Sequence, residues 1–337
     1  MNKSSSLITS LVLTIFSLSV LGIKGETINQ TTTINILDTM FTGDLLNTIF
    51  LRLYTGGDVD AYVDRKLSNA GEFVSKMEHN KPTVLYIHGF SESVESNSVV
   101  TVVQAYLKRK DHNVMAVDYR NISHRNYLAA TNAAEDVGIA LADALNGMVE
   151  EGLDPDKLHI VGHSLGAQVS GYTGRNTAFE VPRITGLDPA GPLFYFVEEH
   201  LSATDARFVD IIHTDYGVYG SATISGSVDF YPNGGHRIQP GCPSKAIFYS
   251  TDDFCSHHRS WVFYAESLSN ENAFLSIRCN SFYQFAFGGC DRDKKIPMGY
   301  ATPSTTKGRY YLVTNAESPF GLGEEGTKFY PAKKNLP

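Results

Sequence analysis

Five short runs of apolar and β-branched residues recur along the chain: Thr83 to Ile87, Asn113 to Val117, Lys157 to Val161, Arg183 to Leu187 and Phe208 to Ile212. A strand that is apolar at consecutive positions must be buried on both faces, the condition of a parallel strand covered by helices. Between the second and third runs, Asn126 to Met148 carries Leu128, Val137, Leu141 and Leu145 at helical spacing among alanines, which predicts one crossover helix. Strands alternating with helices predict a doubly wound α/β sheet whose ligand site lies beyond the carboxyl ends of the strands. A chemically capable residue follows each run: His88-Gly89-Phe90, Asp118, Ser164, Asp188 and His213. Phe50 to Tyr54 reads as an antiparallel edge strand, and Tyr310 to Val313 as a last strand closing the sheet. With 337 residues and no internal repeat or Pro-rich linker, one domain over residues 26–337 is expected.

The leading segment reads as an export signal over residues 1–25: Lys3 supplies the positive charge and Leu7 to Leu21 form an apolar stretch. That stretch is shorter than the roughly 20 residues a spanning helix needs, and no later segment could cross a bilayer, so a soluble, extracellular mature protein is expected. The formal net charge of −8 leaves no basic field for a nucleic-acid partner. Four cysteines, Cys242, Cys255, Cys279 and Cys290, argue for two disulfides in an exported chain. Three pairings are possible, and the sequential one, Cys242 with Cys255 and Cys279 with Cys290, closes two short loops and is preferred. The absence of any CxxC spacing argues against a zinc site, and no metal or other cofactor is expected. Asn29 and Asn121 stand in glycosylation sequons.

Gly162-His163-Ser164-Leu165-Gly166 is a G-x-S-x-G sequence that leaves a predicted strand and enters a helix of small residues. In that context the serine sits on a strained turn with its hydroxyl exposed, and the two glycines remove side chains that would collide with strand and helix. The helix points its amino end at the serine, so the Leu165 N–H can stabilise an oxyanion.

A serine hydroxyl needs a histidine to take its proton, and that histidine needs a carboxylate to hold its tautomer. The expected chain order is Ser, acid, His. Asp188 ends the next strand, before Pro189 and Gly191 force a turn, and is the preferred acid over Asp210 and Asp215. Cys255-Ser256-His257-His258 supplies two adjacent histidines beside a disulfide cysteine, and spacing alone leaves them tied. His163 is expected to pack against the sheet, and His213 and His236 are possible bases that lack a neighbouring disulfide to hold a loop rigid.

These pieces resemble animal pancreatic-type lipases, and within them the insect lipases and phospholipases A1. The matching segments are Tyr86 to Phe90, Gly162 to Ala167, Gly186 to Ala190, Val209 to Thr214, Asp229 to Gly235 and Cys255 to His257. The resemblance implies an α/β-hydrolase fold and a secreted enzyme that releases fatty acids from glycerolipid esters at a lipid–water interface. It assigns the base to His257 over His258, a second oxyanion N–H to Phe90, and a lid to the loop between Cys242 and Cys255. Ser164 is present, whereas inactive yolk-protein relatives lack it. The short loop implies phospholipase A1 activity, with triacylglycerol lipase or galactolipase activity as alternatives and a non-catalytic lipid-binding protein as a remote one. Two departures stand out. No lipid-binding β-sandwich follows Tyr330, so no colipase-type docking domain is expected. Ser202 stands where a calcium-binding relative has an acid near Asp205.

Overall fold

A hairpin of β1 (Phe50–Tyr54) and β2 (Tyr62–Lys66) opens the ordered sheet in the computed structural model, which describes residues 43–196 and 200–329. The expected signal over residues 1–25 and the Asn29 sequon lie outside the described residues. The five apolar runs are β3 (Thr83–Ile87), β4 (Asn113–Asp118), β5 (Leu158–His163), β6 (Arg183–Leu187) and β7 (Val209–Ile212). They are followed by β8 (Val228–Pro232), β9 (Leu275–Arg278), β10 (Lys295–Pro297) and β11 (Gly308–Leu312). The sheet has 11 strands in the order β10-β9-β11-β8-β7-β6-β5-β3-β4-β1-β2. From β11 to β4 every neighbouring pair is parallel, while β1, β2, β9 and β10 join antiparallel at the two ends.

Successive side chains of a strand point to opposite faces. On one face Leu85, Ile87, Ile160 and Ile184 pack against two helices, α2 (Ala134–Glu150) and α3 (Leu165–Asn176). On the other, Val84, Tyr86, Val161 and Leu187 meet α1 (Asn97–Arg109) and α4 (Cys255–Ser269). A mostly parallel sheet covered by helices on both faces is the α/β-hydrolase architecture. Among the described residues no helix is long and apolar enough to cross a membrane.

Three expectations change. Phe50–Tyr54 is antiparallel but not an edge, because Tyr62–Lys66 pairs along its outer side with residues that are half-buried or exposed. Tyr310 and its neighbours do not close the sheet, since β9 and β10 extend it further. The single crossover helix over Asn126 to Met148 is two helices. Asn126 caps a short one, Tyr127–Asn132, by accepting the Ala129 N–H, and the chain turns at Ala133 before α2 begins. Leu128 is consequently 56% exposed and not in the core. The break aims Tyr127 at the site: its hydroxyl donates to the Pro192 carbonyl and its ring meets Phe90 edge to face.

Candidate active site

Ser164 stands between β5 and α3 at φ 54° and ψ −119°, a left-handed conformation that a non-glycine residue adopts only under constraint. The constraint is close packing. A Cβ at Gly162 would lie 2.4 Å from the Gly166 carbonyl, and one at Gly166 would lie 2.2 Å from the Ile87 carbonyl, so strand, turn and helix approach as only glycine permits. The Ala190 N–H donates to the Ser164 carbonyl at 3.1 Å, tying this turn to the one after Asp188. The N–H groups of Leu165 and Phe90 have no protein acceptor among the described residues.

Asp188 immediately follows β6, fully buried and also at positive φ. Its Oδ1 accepts the N–H groups of Thr214 (2.8 Å) and Asp215 (3.2 Å), and its Oδ2 lies 2.6 Å from His257 Nδ1. His257 sits in the first turn of α4, which the Cys242–Cys255 disulfide anchors with a Cα–Cα distance of 5.6 Å. The second disulfide joins Cys279 and Cys290, so both bridges follow the sequential pairing. With Nδ1 turned to the carboxylate, Nε2 is the ring nitrogen left for Ser164. The two residues line one cavity, with no direct hydrogen bond between them in this structure.

The cavity holds about 570 Å³, and Phe90, Tyr127, Tyr219 and Phe254 are among its largely aromatic walls. Phe248 and Tyr249 of the Cys242–Cys255 loop also reach it, and with Ile247 (82% exposed) they present apolar surface to solvent. Part of the loop also packs inward, where Phe254 stacks on Tyr219 at 4.6 Å between ring centroids.

The other candidates have separate partners. His258 stacks on Phe254, and burial together with His163 and His257 pushes its pKa down to about 3. His213 Nε2 lies 2.8 Å from Asp229 Oδ1, with its ring stacked on Tyr231. His236 is exposed and rests against Tyr216. Asp210 accepts Arg183 and Asp215 accepts Arg237. Asp205 takes Arg175 Nε and the Ser202 N–H at 2.8 Å each, and among the described residues no group of three or more His, Cys, Asp or Glu could hold a metal. Asn121 is exposed.

Sequence reasoning missed Glu92. Its carboxylate accepts the Gly89 N–H at 2.6 Å and lies 3.2 Å from His163 Nδ1. Burial opposes its charge, yet the imidazoles of His163 and His88 and the Gly89 N–H hold its pKa far below the ordinary carboxylate range. His163, expected to pack inertly, therefore bridges the segment before Ser164 to the Gly89-Phe90 turn. A lone glutamate two places after Phe90 has no spacing signal, and only contact reveals it.

Comparison with known proteins bears on this site. A family model described as Lipase matches residues 19–320. The pancreatic triacylglycerol lipase of Myocastor coypus is 34% identical over 267 residues, 73% of this chain and 58% of that protein. The Equus caballus enzyme of the same name is 33% identical over 305 residues, covering 82% and 66%. Lipase member H-B of Xenopus laevis is 36% identical over 257 residues, covering 73% and 54%. The chain thus spans between about half and two thirds of the length of these relatives. The extent of the family match and these identities show that the chain belongs to the pancreatic-type animal lipase family.

Proposed function

We propose that this protein hydrolyses acyl esters of glycerolipids, with Ser164 as nucleophile, His257 as base and Asp188 as acid. The carrying observation is the buried 2.6 Å contact between Asp188 and His257 beside a cavity that the strained Ser164 also lines. Ser164 Oγ attacks the ester carbonyl while His257 Nε2 takes its proton, and Asp188 stabilises the resulting imidazolium. The negative charge that develops on the carbonyl oxygen meets the unpartnered N–H groups of Phe90 and Leu165. Collapse expels the glycerolipid alcohol with the proton from His257, and water, activated by the same imidazole, releases the fatty acid and regenerates Ser164. A Ser164–His257 hydrogen bond that forms only with substrate bound is common in such sites.

The substrate we favour is a phospholipid cleaved at the sn-1 ester, with galactolipid hydrolysis as an accompanying activity. The loop between Cys242 and Cys255 acts as the lid. It contains no helix and spans 13 positions, so it covers less of the mouth than a long amphipathic lid and leaves room for a hydrated head group. Triacylglycerol hydrolysis is the second reading, favoured by the similarity to the pancreatic triacylglycerol lipases of Myocastor coypus and Equus caballus. The two disulfides and the exposed Asn121 sequon fit a secreted glycoprotein. Initial rates on phosphatidylcholine, galactolipid and triolein under matched interfaces test the reading. Faster release from phosphatidylcholine, at sn-1, is expected. A preference for triolein or release from sn-2 would overturn the substrate assignment, and no release from any ester would overturn the enzyme.

A further inference from the structure

Beyond the triad, one cation joins the two segments that support its acid and its base. Arg237 follows the Gly234-Gly235 turn that leaves β8, and its guanidinium faces two carboxylates from different parts of the chain. Its Nε donates to Asp215 Oδ1 at 2.7 Å, and its Nη1 donates to Asp253 Oδ1 at 2.9 Å. Nη2 reaches the Asp253 carbonyl at 3.2 Å. Asp215 is the residue whose N–H helps hold Asp188, and its carboxylate is fully buried. Asp253 lies two places before Cys255, where the helix carrying His257 begins, and it also accepts the Tyr249 N–H and the Tyr219 hydroxyl.

We propose that Arg237 is a positioning residue for the triad: by bridging Asp215 and Asp253 it fixes the Asp188-supporting segment against the base of the His257 helix and the adjoining loop. A fork of parallel N–H donors suits this task, because each carboxylate takes separate donors in a fixed plane, which an ammonium cannot reproduce. Without Arg237 the Asp215 carboxylate is a buried charge with no cation, close to Asp188, so the segment must shift or take a proton. Either response moves the amide that orients Asp188. Misplacement of reacting groups by about 1 Å can lower a rate by about 100-fold.

The inference rests on the hydrolase reading above, and the test separates the two. The full chain and its Arg237→Gln and Arg237→Lys variants are assayed on a soluble short-chain p-nitrophenyl ester, and active sites are counted by fluorophosphonate labelling. A surface control, Arg207→Gln, removes exposed contacts to Asp156 and Glu180, away from the triad. We expect kcat per labelled site to fall about tenfold or more in Arg237→Gln and severalfold in Arg237→Lys, with KM within about twofold and the control unchanged. A purely structural role would instead lower the number of labelled sites and leave the rate per site intact, and that result overturns the proposal. Should Arg237→Gln yield no folded protein, a wild-type rate per site in Arg237→Lys overturns it equally. A wild-type chain that neither labels nor hydrolyses overturns the hydrolase reading, and this inference with it.

Discussion

Asp188 and His257 meet 69 positions apart in sequence through a 2.6 Å contact between Oδ2 and Nδ1, while the other carboxylate oxygen takes the Thr214 and Asp215 N–H groups. One oxygen is thereby committed to the backbone and the other to the imidazole, which sets both the direction and the tautomer of the ring. Asp188→Asn is expected to lower kcat by roughly 10⁴, because an amide NH₂ in place of Oδ2 would favour the wrong tautomer. Ser164→Ala should abolish turnover while leaving the melting temperature near wild type. His257→Ala should lose activity comparably and His258→Ala far less. Ester hydrolysis by the purified variants checks all four, and a dead His258→Ala beside an active His257→Ala would move the base.

Glu92 should matter to the rate through the turn it holds. Its carboxylate holds the Gly89 N–H and His163, and so the turn that presents the Phe90 N–H. Glu92→Ala leaves both donors without that partner and should reduce kcat by about 10- to 100-fold, below the roughly 10²- to 10³-fold cost of deleting an oxyanion donor outright. Glu92→Gln keeps an acceptor oxygen and should lose less. Steady-state kinetics on one soluble ester distinguish the two variants, and equal losses would mean that charge, not geometry, is what Glu92 supplies.

The central strands and the Ser164 turn were legible because burial on both faces leaves an apolar run, and a strained turn leaves glycines at Gly162 and Gly166. The flanks were not. Tyr62–Lys66 is a partly buried edge strand whose alternation is blurred by Asp64, Arg65 and Lys66, and Lys295–Pro297 is too short to carry a period. The break at Ala133 escaped notice because alanine suits a helix interior as well as a helix end. Asp188 and the two histidines could be nominated from strand ends and the cysteine, but choosing His257 over His258 required the family resemblance. Glu92 and Arg237 act through contacts made across long stretches of chain, and nothing in their local sequence announces a partner.

The two disulfides should separate stability from activity. Cys242–Cys255 anchors the loop over the cavity and the start of α4, whereas the Cys279–Cys290 loop contributes no residue to the cavity lining. Removing either bridge by a paired Cys→Ser substitution is expected to cost about 3 kcal/mol on the chain-entropy estimate for short loops. Only the Cys242/Cys255 pair should also lower kcat per labelled site. Denaturant melts and labelled-site kinetics on both variants check this, and equal kinetic losses would show that the second bridge also supports the site.

Acid should destabilise the fold through histidines that are buried neutral. Burial lowers the pKa of His88, His159 and His163, and burial with two neighbouring imidazoles lowers that of His258 to about 3. In the unfolded chain each titrates near 6.5, so between about pH 6.5 and the lower native value the unfolded state binds more protons. Stability is therefore fully present above about pH 6.5 and falls as the pH drops through that window. Glu92, with its depressed pKa, adds to the loss below about pH 4.5, and Asp215, raised by burial against the pull of Arg237, works in the opposite direction. At pH 5, His258 alone should account for about 2 kcal/mol, from about 1.5 pH units at about 1.4 kcal/mol each. His258→Gln removes that titration, so its denaturant midpoints at pH 7.5 and pH 5 should lie closer together than those of the wild type. An identical pH gap in the two proteins would mean that His258 is charged in the fold or solvated more than its packing against Phe254 implies.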